Sequence, residues 1–581
     1  MKSTNNLVAI VLLLTAALAA GEMKNKGWWN STVFYQIYPR SFKDSNGDGV
    51  GDLQGITSKL EHFKDINVGA IWLSPIYDSP MVDFGYDIRN FTKIDKIFGT
   101  EEDLKALAAK AKKLGLKVVL DLVPNHTSDE HLWFQLSINR TDPYTDYYIW
   151  NDGKLVNETS ANGTVIKRVP PNNWASVFNG SAWTWNEKRQ QYYFHQFYPK
   201  QPDLNYSNPK VQQEMKDVIK YWLDRGIDGF RIDAVPHLFE SNYTQDEPTL
   251  DVPGANKTDH VSFNHILTKD QPQTYTLVKS WRDYVDQYAN EKNQDEKVLL
   301  TEAYTSWENT IKYYEAGSHV AFNFKFITDA DKNSDASTFK NIIDRWLNMM
   351  PNGSVANWVM GNHDRVRVGT RYPKRGDQMI MLEMLLPGVA VSYYGEEIGM
   401  VDNETLHEYD FRDGARTPFQ WDDSAQAGFT NFSKPWLPVH TDYKTRNLKK
   451  QKTTDDSDYK LYTSLTNLRK SDLLKKGDLR TVILENNVLA VIRNKSNDAA
   501  ALLMNFASQP ISVNLTSLMP KSTGRVVLSS SNSGVKKSTT FSLTKVSIPA
   551  QAALLLRSEA SVSTYSLLMV VLLALASLFR S

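Results

Sequence analysis

Short apolar runs recur along this chain with a helix-length interval after most of them, and that rhythm leaves few folds open. Eight such runs read as strands: Phe34 to Tyr38, Ala70 to Leu73, Lys117 to Leu122, Gly229 to Asp233, Val298 to Glu302, Val320 to Phe324, Trp358 to Gly361 and Val389 to Tyr394. Helical spacing fills the intervals, as in Glu101 to Lys113, where Leu104, Leu107 and Ala111 share one face, and in Val211 to Leu223. Repeated strand-helix units predict an α/β fold, a (β/α)8 TIM barrel.

Two stretches break the rhythm. Residues 127–198 are rich in Asn, Gly, Trp and Tyr and too long for an ordinary loop, so they predict a subdomain inserted after strand 3. Beyond about Gly477 the pattern turns to short alternating segments, Thr481 to Ile492, Ala500 to Asn505, Arg525 to Leu528 and Ala552 to Leu556, which predict a C-terminal antiparallel β-sandwich. The chain thus divides into barrel segments 21–126 and 199–477, an insert at 127–198 and a sandwich at 478–557.

The ends of the chain bear on its compartment. Lys2, an apolar run from Leu7 to Leu18 and the small residues around Ala19 predict a signal peptide over residues 1–20. At the other end, a polar small-residue segment from Ser558 to Ser566 precedes an apolar stretch from Leu567 to Phe579, too short for a span of about 20 residues. Residues 558–581 therefore read as a GPI-attachment signal, with Ser558 or Ser561 as attachment points, and place the protein on the extracellular face of the plasma membrane. Sequons at Asn157, Asn162, Asn352 and Asn403 suit a secreted glycoprotein. Lys+Arg and Asp+Glu balance at 66 each, so no net field recruits nucleic acid, and the absence of cysteine excludes disulfides and thiolate chemistry.

Polar residues gather at the carboxyl ends of the predicted strands, where barrel enzymes build their sites. Strand 3 ends in Asp121-Leu122-Val123-Pro124-Asn125-His126, strand 4 in Gly229-Phe230-Arg231-Ile232-Asp233, strand 5 in Thr301-Glu302-Ala303 and strand 7 in Asn362-His363-Asp364. Each carboxylate alone is as readily a helix cap or turn residue. Paired carboxyls that act as acid and base need surroundings that keep one ionised and the other protonated. Arg231, two residues before Asp233 on one strand, shares its face and would keep it ionised.

In this order the motifs resemble the α-amylase family of glycoside hydrolases, from about Trp28 into the C-terminal module. Gln201-Pro202-Asp203-Leu204-Asn205 resembles the signature of its maltase and oligo-1,6-glucosidase branch. The resemblance implies Asp233 as nucleophile, Glu302 as acid/base and Asp364 as the third carboxylate. It further implies that Asp83, Tyr86, His126, Arg231, His363 and Arg416 bind the terminal glucose, with Tyr86 as platform and an Asp83–Arg416 pair closing the pocket. A closed pocket implies an exo-acting α-glucosidase. In this branch Val after the nucleophile accompanies α-1,6 specificity, so Ala234 points to α-1,4 bonds: maltose, short maltooligosaccharides and sucrose. Members of this type include GPI-anchored mosquito midgut maltases, some of which are receptors for bacterial toxins; a toxin ligand is implied by that resemblance alone, and a homodimer is left open.

A second motif, Asp44-Ser45-Asn46-Gly47-Asp48-Gly49-Val50-Gly51-Asp52, spaces oxygen donors at alternate positions with Gly where a loop must turn. It predicts one structural Ca²⁺ held by Asp44, Asn46, Asp48, the Val50 carbonyl and Asp52, against a metal-free Asx-turn loop. Asn125-His126-Thr127 is a sequon that falls in the expected pocket and is predicted to stay bare. Rival readings are the non-catalytic heavy chain of amino-acid transporters, which calls for a membrane anchor and a linking cysteine, and an endo-acting α-amylase or sugar isomerase.

Overall fold

The computed structural model describes residues 22–160, 163–407 and 410–559. The predicted signal peptide, Ser561 with the apolar tail, and Asn162 lie outside the described residues. Among the described residues no helix is long and apolar enough to cross a membrane.

Eight strands form the barrel sheet: β1 Val33–Ile37, β2 Ala70–Leu73, β3 Lys117–Leu122, β4 Gly229–Ile232, β5 Val298–Thr301, β6 Val320–Ala321, β7 Asn357–Val359 and β8 Val389–Tyr393. Their order, β6-β5-β4-β3-β2-β1-β8-β7, is the cyclic sequence of a TIM barrel. The strands from β1 to β6 run parallel to their neighbours and belong to one compact unit, which extends through Asn323 and adds Met349–Asn357 and Gly428–Val439. The second unit comprises Phe324–Asn348, Trp358–Ala427 and the chain from His440 onward. Buried strands such as β1 and β2 carry no polar alternation because both faces are covered.

Local chemistry sets the helix ends. Thr100 and Asp103 form a reciprocal capping box at the start of Glu101–Lys113, with three acids in its first turn and three lysines in its last, matching the helix dipole. The helix predicted from Val211 begins earlier, at Pro209, because Asn208 caps it and Pro tolerates the first turn.

The insert has its own small core of Ile149, Trp174, Ala182, Trp183, Tyr192 and Phe194 around a three-stranded antiparallel sheet. Several of the aromatic residues that mark this stretch are therefore packing residues. A separate hairpin, Lys154–Ser160 with Gly163–Val169, leaves the insert as an isolated two-stranded sheet.

In the second unit the C-terminal module begins at Asp478, where the patterning changes. Its strands are β9 Asp478–Leu484, β10 Val488–Lys495, β11 Asp498–Asn505, β12 Ile511–Val513, β13 Thr523–Ser529, β14 Thr540–Ser542, β15 Val546–Ile548 and β16 Ala553–Glu559. A six-stranded sheet, β9-β10-β11-β16-β13-β14, and the pair β12-β15 close over a core that includes Val488, Leu503, Leu515, Val546 and Leu554, the expected sandwich. Two readings need correction. Thr481 to Ile492 is a hairpin rather than one segment, because Glu485 (φ 47°) and Asn486 (φ 61°) turn the chain in left-handed geometry. Ser558, read as a lipid attachment point, pairs with Gly524 in the last strand, and its hydroxyl accepts the Ala499 N–H.

Candidate active site

Parallel register places the acids. Arg231 lies opposite Asp121 on β3, and Ile232 lies opposite both Leu122 on β3 and Thr301 on β5. Asp233 and Glu302 therefore leave neighbouring strands at the same level. The backbone ladder continues through them, from Asp233 N–H to the Leu122 carbonyl (2.8 Å) and from Glu302 N–H to the Ile232 carbonyl (3.0 Å).

One guanidinium gathers three carboxylates. Arg231 Nη1 lies 2.8 Å from Asp121 Oδ1 and 2.5 Å from Asp233 Oδ1, and its Nη2 lies 2.8 Å from Glu302 Oε1. The arginine is 1% exposed, and its cation sits 5.0 Å from the Trp72 ring centroid. Burial opposes its charge, yet Asp121, Glu302 and Asp233 together hold the proton on it far more firmly than usual. Burial pushes Asp121 up to about 7, against the pull of Arg231. Asp121 also accepts from the Tyr86 hydroxyl (3.1 Å) and Trp72 Nε1 (3.2 Å), so it links the cation to the aromatic wall. Reading the strand ends one at a time leaves Asp121 among the generic acids; the parallel register is what makes it the partner of Arg231.

Ala234 sits in the left-handed region at φ 48° and directs its N–H to Glu302 Oε2 at 2.9 Å. A small residue suits this turn, since side chains with two branches at Cβ crowd the left-handed backbone.

The loop carrying Asp83 and Tyr86 is tied by Asp87, which accepts from Asp83 N–H (2.9 Å), Val82 N–H (2.8 Å) and the Ser79 hydroxyl (3.0 Å). Asp83 Oδ2 receives Gln201 Nε2 at 3.2 Å. His126 Nε2 faces the Tyr86 carbonyl at 3.0 Å; burial lowers this imidazole to about 4, leaving it a neutral wall group. The Gln201 to Asn205 signature clamps the insert to the end of β3: Asp203 accepts from Asn125 Nδ2 and Gln196 N–H, each at 2.8 Å, and Leu204 N–H reaches the Asn125 carbonyl at 2.9 Å. Asn125 is 1% exposed and its amide nitrogen donates to Asp203, so the folded protein offers this sequon no free acceptor.

In the second unit, β7 leads into Asn362-His363-Asp364. Asn362 Oδ1 accepts the Asp364 N–H at 3.0 Å, an Asx turn that aims the acid. Arg416 is 1% exposed, donates Nη2 to Asp364 Oδ1 at 3.0 Å and Nε to the His363 carbonyl at 2.8 Å. His363 Nε2 lies 3.4 Å from Asp364 Oδ2. Arg412, a residue outside the expected set, lies 3.8 Å from Asp364 while its fork grips Asp410. Asp364 thus has cations ranged along one oxygen.

The Asp44 to Asp52 loop turns at Gly47 (φ 81°) and Gly49 (φ 92°). Asp44 Oδ1 accepts Gly47 N–H (2.7 Å) and Oδ2 accepts Gly49 N–H (2.8 Å). Asn46 and Asp48 each accept from the residue two places on. Asp52 receives Ser45 and caps the helix Leu53–Ser58 through the Gly55 N–H. Among the described residues no group of three or more His, Asp or Glu side chains gathers in ligating geometry. The donors are nonetheless all oxygens, and Asp44 and Asp52 are buried, so the set suits a hard cation and no softer one.

Comparison with known proteins agrees with this arrangement. The family profile "Alpha amylase, catalytic domain" matches residues 36–477. An alpha-glucosidase of Apis mellifera is 46% identical over 83% of this chain and 86% of its own length. Maltase A1 of Drosophila melanogaster is 44% identical over 88% and 94%. A human amino acid transporter heavy chain is also 41% identical, over 80% of this chain and 68% of its own. Among solved structures, an alpha-glucosyl transfer enzyme superposes with a TM-score of 0.79 at 32% identity, covering 92% of this chain and 99% of that one. With its TIM barrel, its arginine-linked strand-end carboxylates and these matches, the chain belongs to the alpha-amylase family of glycoside hydrolases.

Proposed function

We propose that the protein is an exo-acting, retaining α-glucosidase that releases terminal α-1,4-linked glucose from maltose, short maltooligosaccharides and sucrose. The observation that carries this reading is the sharing of the Arg231 guanidinium by Asp233 and Glu302, which keeps two carboxyl groups at close range on one side of the barrel. Close carboxyls suit a double displacement; inversion needs a wider gap for water.

In that mechanism Asp233 attacks the anomeric carbon, forming a glycosyl ester as the bond to the leaving oxygen breaks. Glu302 gives its proton to that oxygen. Water, deprotonated by the same Glu302, then displaces Asp233 and restores the starting configuration. Arg231 keeps the nucleophile ionised, and the Ala234 N–H fixes the acid/base. Asp364, steadied by Arg416, holds the sugar hydroxyls in the distorted ring, and Asp83, Tyr86, His126 and His363 bind the terminal glucose. Retention of the whole carboxylate set favours an enzyme over a heavy-chain partner.

Around that chemistry, a signal peptide exports the chain, a GPI lipid holds it at the cell surface, and one Ca²⁺ at Asp44, Asn46, Asp48, Val50 and Asp52 braces the loop ahead of the second strand. Initial rates on maltose, sucrose, isomaltose and starch test the reading. Glucose release from maltose and sucrose is expected; conversion of starch to mixed oligomers with no turnover of maltose overturns it.

A further inference from the structure

The hairpin Lys154–Ser160 with Gly163–Val169 presents an anomaly: large apolar side chains on an isolated sheet. Leu155 is 62% exposed, Val165 65% and Ile166 67%, and neither strand pairs with any other. A lone two-stranded hairpin is marginal in water, and exposed apolar strand edges invite self-association. At its base Arg168 donates to the Asp152 carbonyl at 2.5 Å and lies 5.6 Å from the Trp185 ring, and the Tyr192 hydroxyl reaches the Arg168 carbonyl at 3.2 Å.

The register sorts the side chains. Leu155 is paired with Arg168 and Asn157 with Ile166, so by strand alternation Leu155, Asn157, Ile166 and Arg168 share one face. The other face carries Val156, Val165 and the Lys167–Glu158 ion pair at 3.4 Å. Asn157 opens the sequon Asn157-Glu158-Thr159 and is exposed. It stands directly across from Ile166, about 5 Å away between Cβ atoms, and two residues along the strand from Leu155, about 7 Å.

We propose that Asn157 carries an N-linked glycan whose first N-acetylglucosamine lies over Leu155 and Ile166 and completes the hairpin. The C–H face and acetyl methyl of this sugar cover aliphatic side chains while its hydroxyl rim stays in water. In the transfer, the bond from Asn157 Nδ2 to the sugar C1 forms. The C1–O bond to the diphosphate of a lipid-linked oligosaccharide breaks, and the amide gives up one proton. The proposal rests on the reading that the chain is exported.

The test uses the full chain secreted from a eukaryotic host. Glycopeptide mass spectrometry is expected to find Asn157 occupied. Asn157→Gln should then lose hydrogen-exchange protection across residues 154–169 and gain binding of a hydrophobic dye, with maltose turnover unchanged. Adding Ile166→Thr and Leu155→Thr to Asn157→Gln should return dye binding to the level of the glycosylated protein. An unmodified Asn157 in the secreted chain overturns this proposal alone; a chain that stays inside the host cell and carries no glycan at any sequon overturns it together with the export reading. Occupancy without any change in dye binding or exchange on Asn157→Gln also overturns it.

Discussion

Replacing Arg231 by lysine probes the centre of the site while keeping its charge. The guanidinium spreads its contacts over two nitrogens, Nη1 to Asp121 and Asp233 and Nη2 to Glu302, at 2.5 to 2.8 Å. A lysine offers one nitrogen on a flexible stem and cannot hold all three acids. At least one charge-assisted bond is lost, each worth about 1.5–3 kcal/mol, and the guanidinium's contact with the Trp72 ring goes as well. Loss of about 3–4 kcal/mol of alignment predicts a fall in kcat/KM of roughly two to three orders of magnitude at about 1.4 kcal/mol per decade. The acidic limb of the rate profile should also move to higher pH, since a less well-placed cation favours an ionised nucleophile less. Maltose hydrolysis across pH, with circular dichroism to confirm folding, reads both effects. A variant with kcat/KM within about threefold of wild type and an unmoved acidic limb refutes the assignment of Arg231 as the group that orders the carboxylates.

Other consequences follow from particular residues. Asp121, pushed up to about 7 by burial, holds its proton more tightly folded than unfolded, so its contribution is fully present below the unfolded value and is lost as pH rises through about 7. Calorimetry of wild type and Asp121→Asn from pH 4 to 8 should show the wild type losing its relative advantage over that range; a constant difference contradicts the assignment. Chelation should lower the melting temperature and added Ca²⁺ restore it, as a ligand at 100 times its Kd stabilises by about 2.7 kcal/mol; no response identifies the Asp44 to Asp52 segment as a metal-free turn loop. Glu485→Asn, at φ 47° in the β9–β10 turn, should raise stability to denaturant by up to about 1 kcal/mol, because Asn tolerates left-handed geometry better than Glu.

The fold was largely legible because its dominant signal is periodic. Lys117–Leu122 and Glu101–Lys113 can be read to the residue, since apolar spacing and capping chemistry agree there. The turn between β9 and β10 is faint in the sequence, because Glu485 is a poor marker for a left-handed residue and Asn486-Asn487 is its one local signal, without Gly or Pro. In the site, strand-end acids and Arg231 are visible in the sequence; Asp121 as hub and Asp87 as loop anchor are not, because their roles come from register and from side chains converging across loops. Arg412 beside Asp364 is likewise a product of tertiary packing. The Gln201 to Asn205 signature reads as a family mark in sequence and as a clamp on Asn125 in three dimensions.

The central claim, that Asp233 forms a covalent bond to glucose with Glu302 as its acid/base, is tested most directly by trapping. Incubation with 5-fluoro-α-glucosyl fluoride, followed by proteolysis and mass spectrometry, should find the fluoroglucosyl mass on the peptide bearing Asp233, and none on Asp233→Asn. Label on Asp121, Glu302 or Asp364, or turnover of the probe with no labelled peptide and release of inverted sugar, contradicts the account.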